Sequence, residues 1–167
     1  EPPDISVDVD VDSALFAVIG DYGQSGKNEK AVSDMVGAWG PDFILTTGDN
    51  NYGYGEYATL HQNIGQYYGD YIYNFDAPEA YRCKGKAFTE QINRFFPSPG
   101  NHDEQGPYDL EPYLNYFSLP GEEEFYSFAW GPVEFFSLNS LNSADHTKQK
   151  AWLKGALAAS GKAFQVV

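Results

Sequence analysis

One pattern occurs three times in the sequence: a short apolar run, then a glycine, then a residue able to bind metal. Residues 16–21 read Phe-Ala-Val-Ile-Gly-Asp, and related runs occupy 43–49 and 95–101. Such a run predicts a buried strand, and the glycine predicts a sharp turn out of it. Because open α/β sheets bind ligands at the carboxyl ends of their strands, the pattern predicts three ligand-bearing loops at one edge of a sheet.

The segment between the first two runs predicts a helix. Strands are expected at 14–20 and 43–47, and apolar residues recur at helical spacing over 28–39. Gly40 and Pro41 would end that helix. A strand–helix–strand order of this kind predicts a parallel strand pair with a right-handed crossover.

The middle of the chain is rich in tyrosine and less regular. Part of it, near 58–73, is expected to be helical, and residues 108–118 are expected to form a short helix or a turn excursion. Most tyrosines of residues 51–82 would serve packing, and some could line a substrate cleft. Apolar runs at 125–130 and 133–138 flank a Gly-Pro turn, which predicts an antiparallel hairpin.

Signals at the two ends of the chain are of different kinds. Residues 1–13 alternate acidic and β-branched residues, which indicates an acidic linker or an edge strand, with the linker preferred. Ser143 or Asp145 could cap a helix that Gly161 would end. Phe164 would begin another buried strand.

Composition limits the function. The 167 residues suffice for one domain, and the net charge of −14 with a pI near 4.3 argues against nucleic-acid binding through a basic surface. A polyanionic substrate would then need metal cations to approach, although acidity can equally reflect solubility or adaptation to salt. Cys83 is the single cysteine, so no internal disulfide is expected.

Location follows from weaker signals. No apolar run approaches the roughly 20 residues that span a bilayer, so no membrane span is expected. The chain begins Glu-Pro-Pro without Met, as a processed or excised protein would. We expect an extracytoplasmic or secreted protein.

The polar residues after the three runs form a candidate metal site. Asp21, Asp49, Tyr52 and Asn101 offer oxygen ligands, which together with imidazole suit Fe, Mn, Zn or Mg. Asp49 could bridge two cations roughly 3.5–4 Å apart. A phenol binds metal well as phenolate, so Tyr52 favours a strongly acidic ion such as Fe(III).

These motifs resemble the signatures of a known family. Gly-Asp21-x-Gly, Gly-Asp49-x-x-Tyr52 and Gly-Asn101-His102-Asp103 are similar to the first three motifs of calcineurin-like metallophosphoesterases, in the purple acid phosphatase branch. Stretches within 113–141, and Gln-x-x-Trp-Leu at 149–153, extend the resemblance from about residue 14 to the end. It implies a four-layer α/β/β/α sandwich, of which residues 14–167 would be the N-terminal portion.

The resemblance also implies the roles of the ligands. Asp21 and Tyr52 would hold Fe(III), Asp49 would bridge, and Asn101 would bind a divalent Fe, Zn or Mn ion. His102 would contact the phosphate and protonate the leaving oxygen, and Asp103 would orient its imidazole.

These roles imply a dinuclear-metal phosphoric ester hydrolase, acting on a small phosphorylated substrate by in-line attack of a metal-bound hydroxide. A phosphomonoesterase resembling acid phosphatases is favoured. The alternatives are a phosphodiesterase or nucleotide pyrophosphatase, and a non-catalytic binding module with a phosphatase fold.

The sequence departs from the family in its histidines. The family completes its site with Val-x-x-His and Gly-His-x-His, and neither occurs among these residues. The one histidine after His102 is His146, at a predicted helix start, where a capping or surface role is favoured over metal binding. We expect the fold to be incomplete at its C-terminus. The missing part of the same domain would be a partner, and this piece alone would be weakly active or inactive.

Overall fold

A computed structural model of the chain describes residues 6–167. The three apolar runs form the parallel strands β2 (Phe16–Ile19), β3 (Phe43–Thr46) and β4 (Phe95–Pro97), in the order β2-β3-β4. Helix α1 (Lys27–Trp39) connects the first two strands, and Gly40 ends it in a left-handed conformation with φ 61°. The predicted parallel pair and crossover helix are confirmed.

A second, mixed sheet packs against the first. Its order is β1-β5-β6-β7, with β5 (Tyr126–Trp130) antiparallel to β6 (Val133–Ser137). This is the predicted hairpin. The outer strands β1 (Asp8–Val9) and β7 (Phe164–Val166) pair in parallel with β5 and β6.

The two ends of the chain differ from the sequence prediction. Asp8–Val9 pairs as an edge strand, whereas the sequence favoured a linker for residues 1–13; residues 1–5 of that range lie outside the described residues. The prediction of a buried strand at Phe164 is wrong in its burial, because Phe164 is 63% exposed. Among the described residues β7 pairs with β6 alone, which leaves it as an edge of the sheet.

Aromatic rings join the two sheets face to face. The Phe43 ring of β3 lies 5.4, 4.9 and 5.2 Å from the rings of Phe128, Trp130 and Phe135, measured between centroids. Helix α1 covers the first sheet with Val36 buried, and Trp152 of helix α7 (His146–Ala159) packs on the second sheet. The layers are therefore α/β/β/α, as predicted.

The start of α7 shows which of two predicted caps is used. Asp145 accepts hydrogen bonds from the backbone N–H groups of Thr147 and Lys148 at 3.1 and 2.9 Å, which is the N-cap arrangement. Ser143 instead donates to Glu104 at 2.5 Å. The helix ends at Ala159, before the predicted Gly161.

Short helices make up the tyrosine-rich middle and the segment after it, and several of their tyrosines are buried, as the packing interpretation expected. None of the helices within 6–167 combines the length and apolar character needed to cross a bilayer. The short elements are α2 (Tyr57–Leu60), a π-helix (His61–Gly65), α3 (Gln66–Tyr68), a 3-10 helix (Glu79–Tyr81), α4 (Lys86–Glu90), α5 (Asn101–Glu104) and α6 (Glu111–Tyr116).

Candidate functional site

The two candidate aspartates occupy equivalent backbone turns. Asp21 follows β2 and Asp49 follows β3, and both adopt left-handed conformations, with φ 51° and 54°. Non-glycine residues with positive φ are uncommon, and Asp is among the side chains that tolerate it. Such conformations concentrate at functional sites, where the surrounding structure compensates their cost. The turns bring both carboxylates to the carboxyl edge of one parallel sheet.

Tyr52 joins the two carboxylates. Its hydroxyl donates to Asp21 Oδ1 at 2.6 Å and lies 3.3 Å from Asp49 Oδ2. The hydrogen bond to Asp21, partial burial and the charge of Asp49 raise the pKa of Tyr52 well above its ordinary value. A cation that bound these three oxygens would replace the phenolic proton, because its positive charge would stabilise the phenolate.

The donor set fits a hard cation. Among residues 6–167, neither Asp21 nor Asp49 forms an ion pair with a lysine, arginine or histidine side chain. Two carboxylates that meet at one phenol without such neutralisation favour a cation with oxygen preference. Within the same range no cluster of three His, Cys, Asp or Glu side chains has metal-binding geometry, so the phenol and an amide are needed to complete this donor set.

The third loop closes over Asp49. The backbone N–H of His102 donates to Asp49 Oδ1 at 2.9 Å. A side chain at position 100 would collide with the backbone and carboxylate of Asp49, so the glycine there permits the close approach. Asn101 is exposed and lines, with Asp21 and Asp49, a cavity of about 340 Å³. The structure thus brings together the four side chains proposed as metal ligands.

The imidazole of His102 lies over Tyr52. The two ring centroids are 4.3 Å apart and the ring planes differ by 36°. His102 Nδ1 is 3.0 Å from the carbonyl oxygen of Gly53. Because a carbonyl oxygen can only accept, Nδ1 carries the proton in this contact, and Nε2 is the nitrogen that remains for other chemistry.

Asp103 does not orient that imidazole, contrary to the sequence expectation. Its carboxylate is buried and accepts from the backbone N–H of Gly100 at 2.8 Å and from the Asn50 side chain at 2.9 Å. The Gly53 carbonyl holds the ring of His102 instead. Successive side chains on a helix point about 100° apart, so adjacency on α5 does not bring the two together. Burial raises the pKa of Asp103 to about 6, against the opposing effect of its hydrogen bonds.

Sequence reasoning did not identify Asn50 as part of the site. Asn50 is fully buried between the loops. A polar residue directly after a site aspartate, inside an otherwise buried stretch, was the available signal. His61 and His146 are both exposed, and His146 begins α7 next to its capping Asp145.

Comparison with known proteins supports the family resemblance that the motifs indicated. The sequence profile of the calcineurin-like phosphoesterase family matches residues 14–162. The chain belongs to this family. Metal-dependent phosphoester hydrolysis is the chemistry of the family, and the family predicted from the motifs is confirmed.

A solved structure with a similar fold is the purple acid phosphatase PPD1 from seeds of yellow lupin (Lupinus luteus). The similarity has a TM-score of 0.57 at 16% identity and covers 90% of this chain. The chain spans 28% of the length of that structure. At this identity the likeness shows the fold. No curated protein sequence matched the chain.

Proposed function

We propose that this chain supplies the oxygen ligands and the phosphate-facing imidazole of a dinuclear metal site that hydrolyses phosphomonoesters. The observation that carries the proposal is the position of the Tyr52 hydroxyl, which lies 2.6 Å from Asp21 Oδ1 and 3.3 Å from Asp49 Oδ2 at the carboxyl edge of a parallel sheet. Family membership supplies the reaction class, and the donor chemistry supplies the metal requirement.

The ligands divide between two ions. Asp21 and Tyr52 would hold Fe(III), Asn101 would hold a divalent Fe, Zn or Mn ion, and Asp49 would serve both. Bound there, the ions would supply Lewis acidity toward the phosphoryl oxygens and would make the attacking water more acidic. Two such ions need more ligands than these four side chains supply. The proposal therefore includes further ligands from another polypeptide segment.

His102 is the chain's own acid in this proposal. The Gly53 carbonyl holds Nδ1 and the Tyr52 ring restricts the plane of the imidazole, so Nε2 has a defined direction. A protonated Nε2 can donate to a phosphate oxygen or to the leaving oxygen, which is general acid catalysis. The predicted extracytoplasmic location is part of the same proposal.

The test combines a spectrum with a rate. We expect the chain with Fe(III) and Mn(II) added to show a visible tyrosinate-to-iron band and slow, metal-dependent hydrolysis of 4-nitrophenyl phosphate. The bis(4-nitrophenyl) ester should react more slowly, because the proposed substrate is a monoester. Tyr52→Phe should abolish the band, since it removes the phenolate ligand.

A matched tyrosine provides the control. The Tyr73 ring packs on Phe75 and Phe88, away from the site, so Tyr73→Phe should keep both the band and the rate. A chain without a visible band and without metal-dependent hydrolysis would refute the proposal. Faster turnover of the diester would keep the metal site and replace the substrate class.

A further inference from the structure

Two buried side chains lie beneath the three loops of the site. Asn50 is 0% exposed and Asp103 is 2% exposed. Asn50 Nδ2 donates to Asp103 Oδ2 at 2.9 Å, and the backbone N–H of Asn50 donates to the same carboxylate at 3.1 Å. Asn50 thus donates hydrogen bonds to Asp103 from both its backbone and its side chain.

The amide of Asn50 has no unused hydrogen-bonding capacity. Its second N–H donates to the carbonyl oxygen of Ser98 at 2.8 Å. Its Oδ1 accepts from Thr46 Oγ1 at 2.5 Å and from the Tyr22 hydroxyl at 3.0 Å. An amide offers two N–H donors and two acceptor positions, and all four are engaged here.

These partners belong to all three ligand loops. Tyr22 directly follows the first aspartate of the site, and Asn50 directly follows the second. Asp103 lies on the third loop and also accepts from the backbone N–H of Gly100 at 2.8 Å. A displacement of any one loop would therefore break hydrogen bonds that are shielded from water, at a high cost.

We propose that the Asn50–Asp103 pair is a positioning unit that sets the spacing of the three loops and, through it, the metal affinity of the site. The proposal rests on the metal site proposed above. Ligands are held in productive geometry by the hydrogen-bonded residues behind them, and loss of such residues typically costs 10- to 100-fold in metal affinity. Neither residue of the pair needs to touch the metal or the substrate.

A second buried asparagine separates positioning from stability. Asn74 is also 0% exposed, donates to the Tyr81 carbonyl at 3.1 Å and accepts from the Cys83 N–H at 2.9 Å. Its partners lie in the tyrosine-rich segment, and none is a predicted ligand. Asn50→Ser and Asn74→Ser should both lower the melting temperature, because each removes buried hydrogen bonds.

The first measurement needs no metal. The His102 N–H reports the distance between the third loop and Asp49, to which it donates at 2.9 Å. In the full chain, Asn50→Ser should speed hydrogen exchange of this amide at least tenfold, and Asn74→Ser should change it less than twofold. Unchanged protection in a folded Asn50→Ser chain would overturn the proposal. If that variant does not fold, Thr46→Val removes one bond to Asn50 and should speed exchange at least threefold.

The second measurement uses Mn(II), with the free ion followed by electron paramagnetic resonance. Asn50→Ser should weaken Mn(II) binding at least tenfold relative to the unmodified chain, and Asn74→Ser less than twofold. Equal binding by both variants would overturn the link between the pair and metal affinity. An unmodified chain that binds no Mn(II) would count against the proposed function, while the exchange result would still decide whether the pair positions the loops.

Discussion

Asp103 and Glu29 are both buried acids, and their surroundings differ. Asp103 accepts from two backbone N–H groups and one side-chain amide, all between 2.8 and 3.1 Å. Glu29, in the first turn of α1, is 4% exposed, and its Oε1 has no hydrogen-bond partner within residues 6–167. The burial of Asp103 is compensated by hydrogen bonds that organise a site, whereas the burial of Glu29 Oε1 is not.

Burial raises the pKa of both carboxyl groups by similar amounts, although their hydrogen-bond partners differ. Burial raises the pKa of Glu29 from 4.5 to about 7, and the Tyr68 hydroxyl opposes this rise without forming a hydrogen bond of normal geometry. Burial raises the pKa of Asp103 to about 6 against several opposing hydrogen bonds. The fold therefore supplies several hydrogen bonds to the buried carboxylate that ties the loops of the candidate site together, and leaves Glu29 Oε1 without one among residues 6–167.

Among substitutions of the two buried acids and their neighbours, the largest effect is expected at Asp103. Asp103→Asn keeps the shape of the side chain, but its Nδ2 would face N–H donors of Asn50 or Gly100. We expect a loss of about 1–3 kcal/mol in the free energy of unfolding at pH 7, because buried donors lose their acceptor. Urea denaturation would measure it. An unchanged denaturation midpoint would show that the hydrogen bonds of Asp103 contribute little.

Glu29→Gln is the matched amide substitution, and it should raise the stability of the protein where Asp103→Asn lowers it. With its pKa raised to about 7, folded Glu29 keeps its proton to higher pH than unfolded Glu29 does. Between about pH 4.5 and 7 the folded state therefore binds more protons, and stability falls as the pH rises. We expect Glu29→Gln to remove about 1–3 kcal/mol of this fall.

Thermal unfolding at pH 5 and pH 8 would measure that change. The two proteins should differ little at pH 5, where Glu29 is protonated in the folded state, and the Gln variant should melt at the higher temperature at pH 8. Parallel pH profiles for both proteins would contradict the assignment of the slope to Glu29.

The sequence revealed the proposed ligands more readily than the residues that support them. Asp21 and Asp49 were predictable because an apolar run followed by Gly-Asp is a local signal. The Asn50–Asp103 contact joins residues 53 positions apart, and its register depends on how three loops pack. The exposure of Phe164 was likewise unpredictable, because an apolar strand does not specify what covers its faces.

The smallest expected effect is at Tyr68, the neighbour of Glu29. The Tyr68 hydroxyl is buried without a partner among residues 6–167, whereas the equally buried Tyr126 hydroxyl donates to the Pro97 carbonyl at 2.7 Å. Removing an unpartnered hydroxyl forfeits no hydrogen bond, so Tyr68→Phe should change stability by less than about 0.5 kcal/mol, and Tyr126→Phe should cost about 1 kcal/mol. Urea denaturation at pH 5, where Glu29 is protonated, would compare the two. Equal losses would mean that Tyr68 bonds to Glu29 in solution, and the contrast between the two buried acids would then be smaller than the geometry indicates.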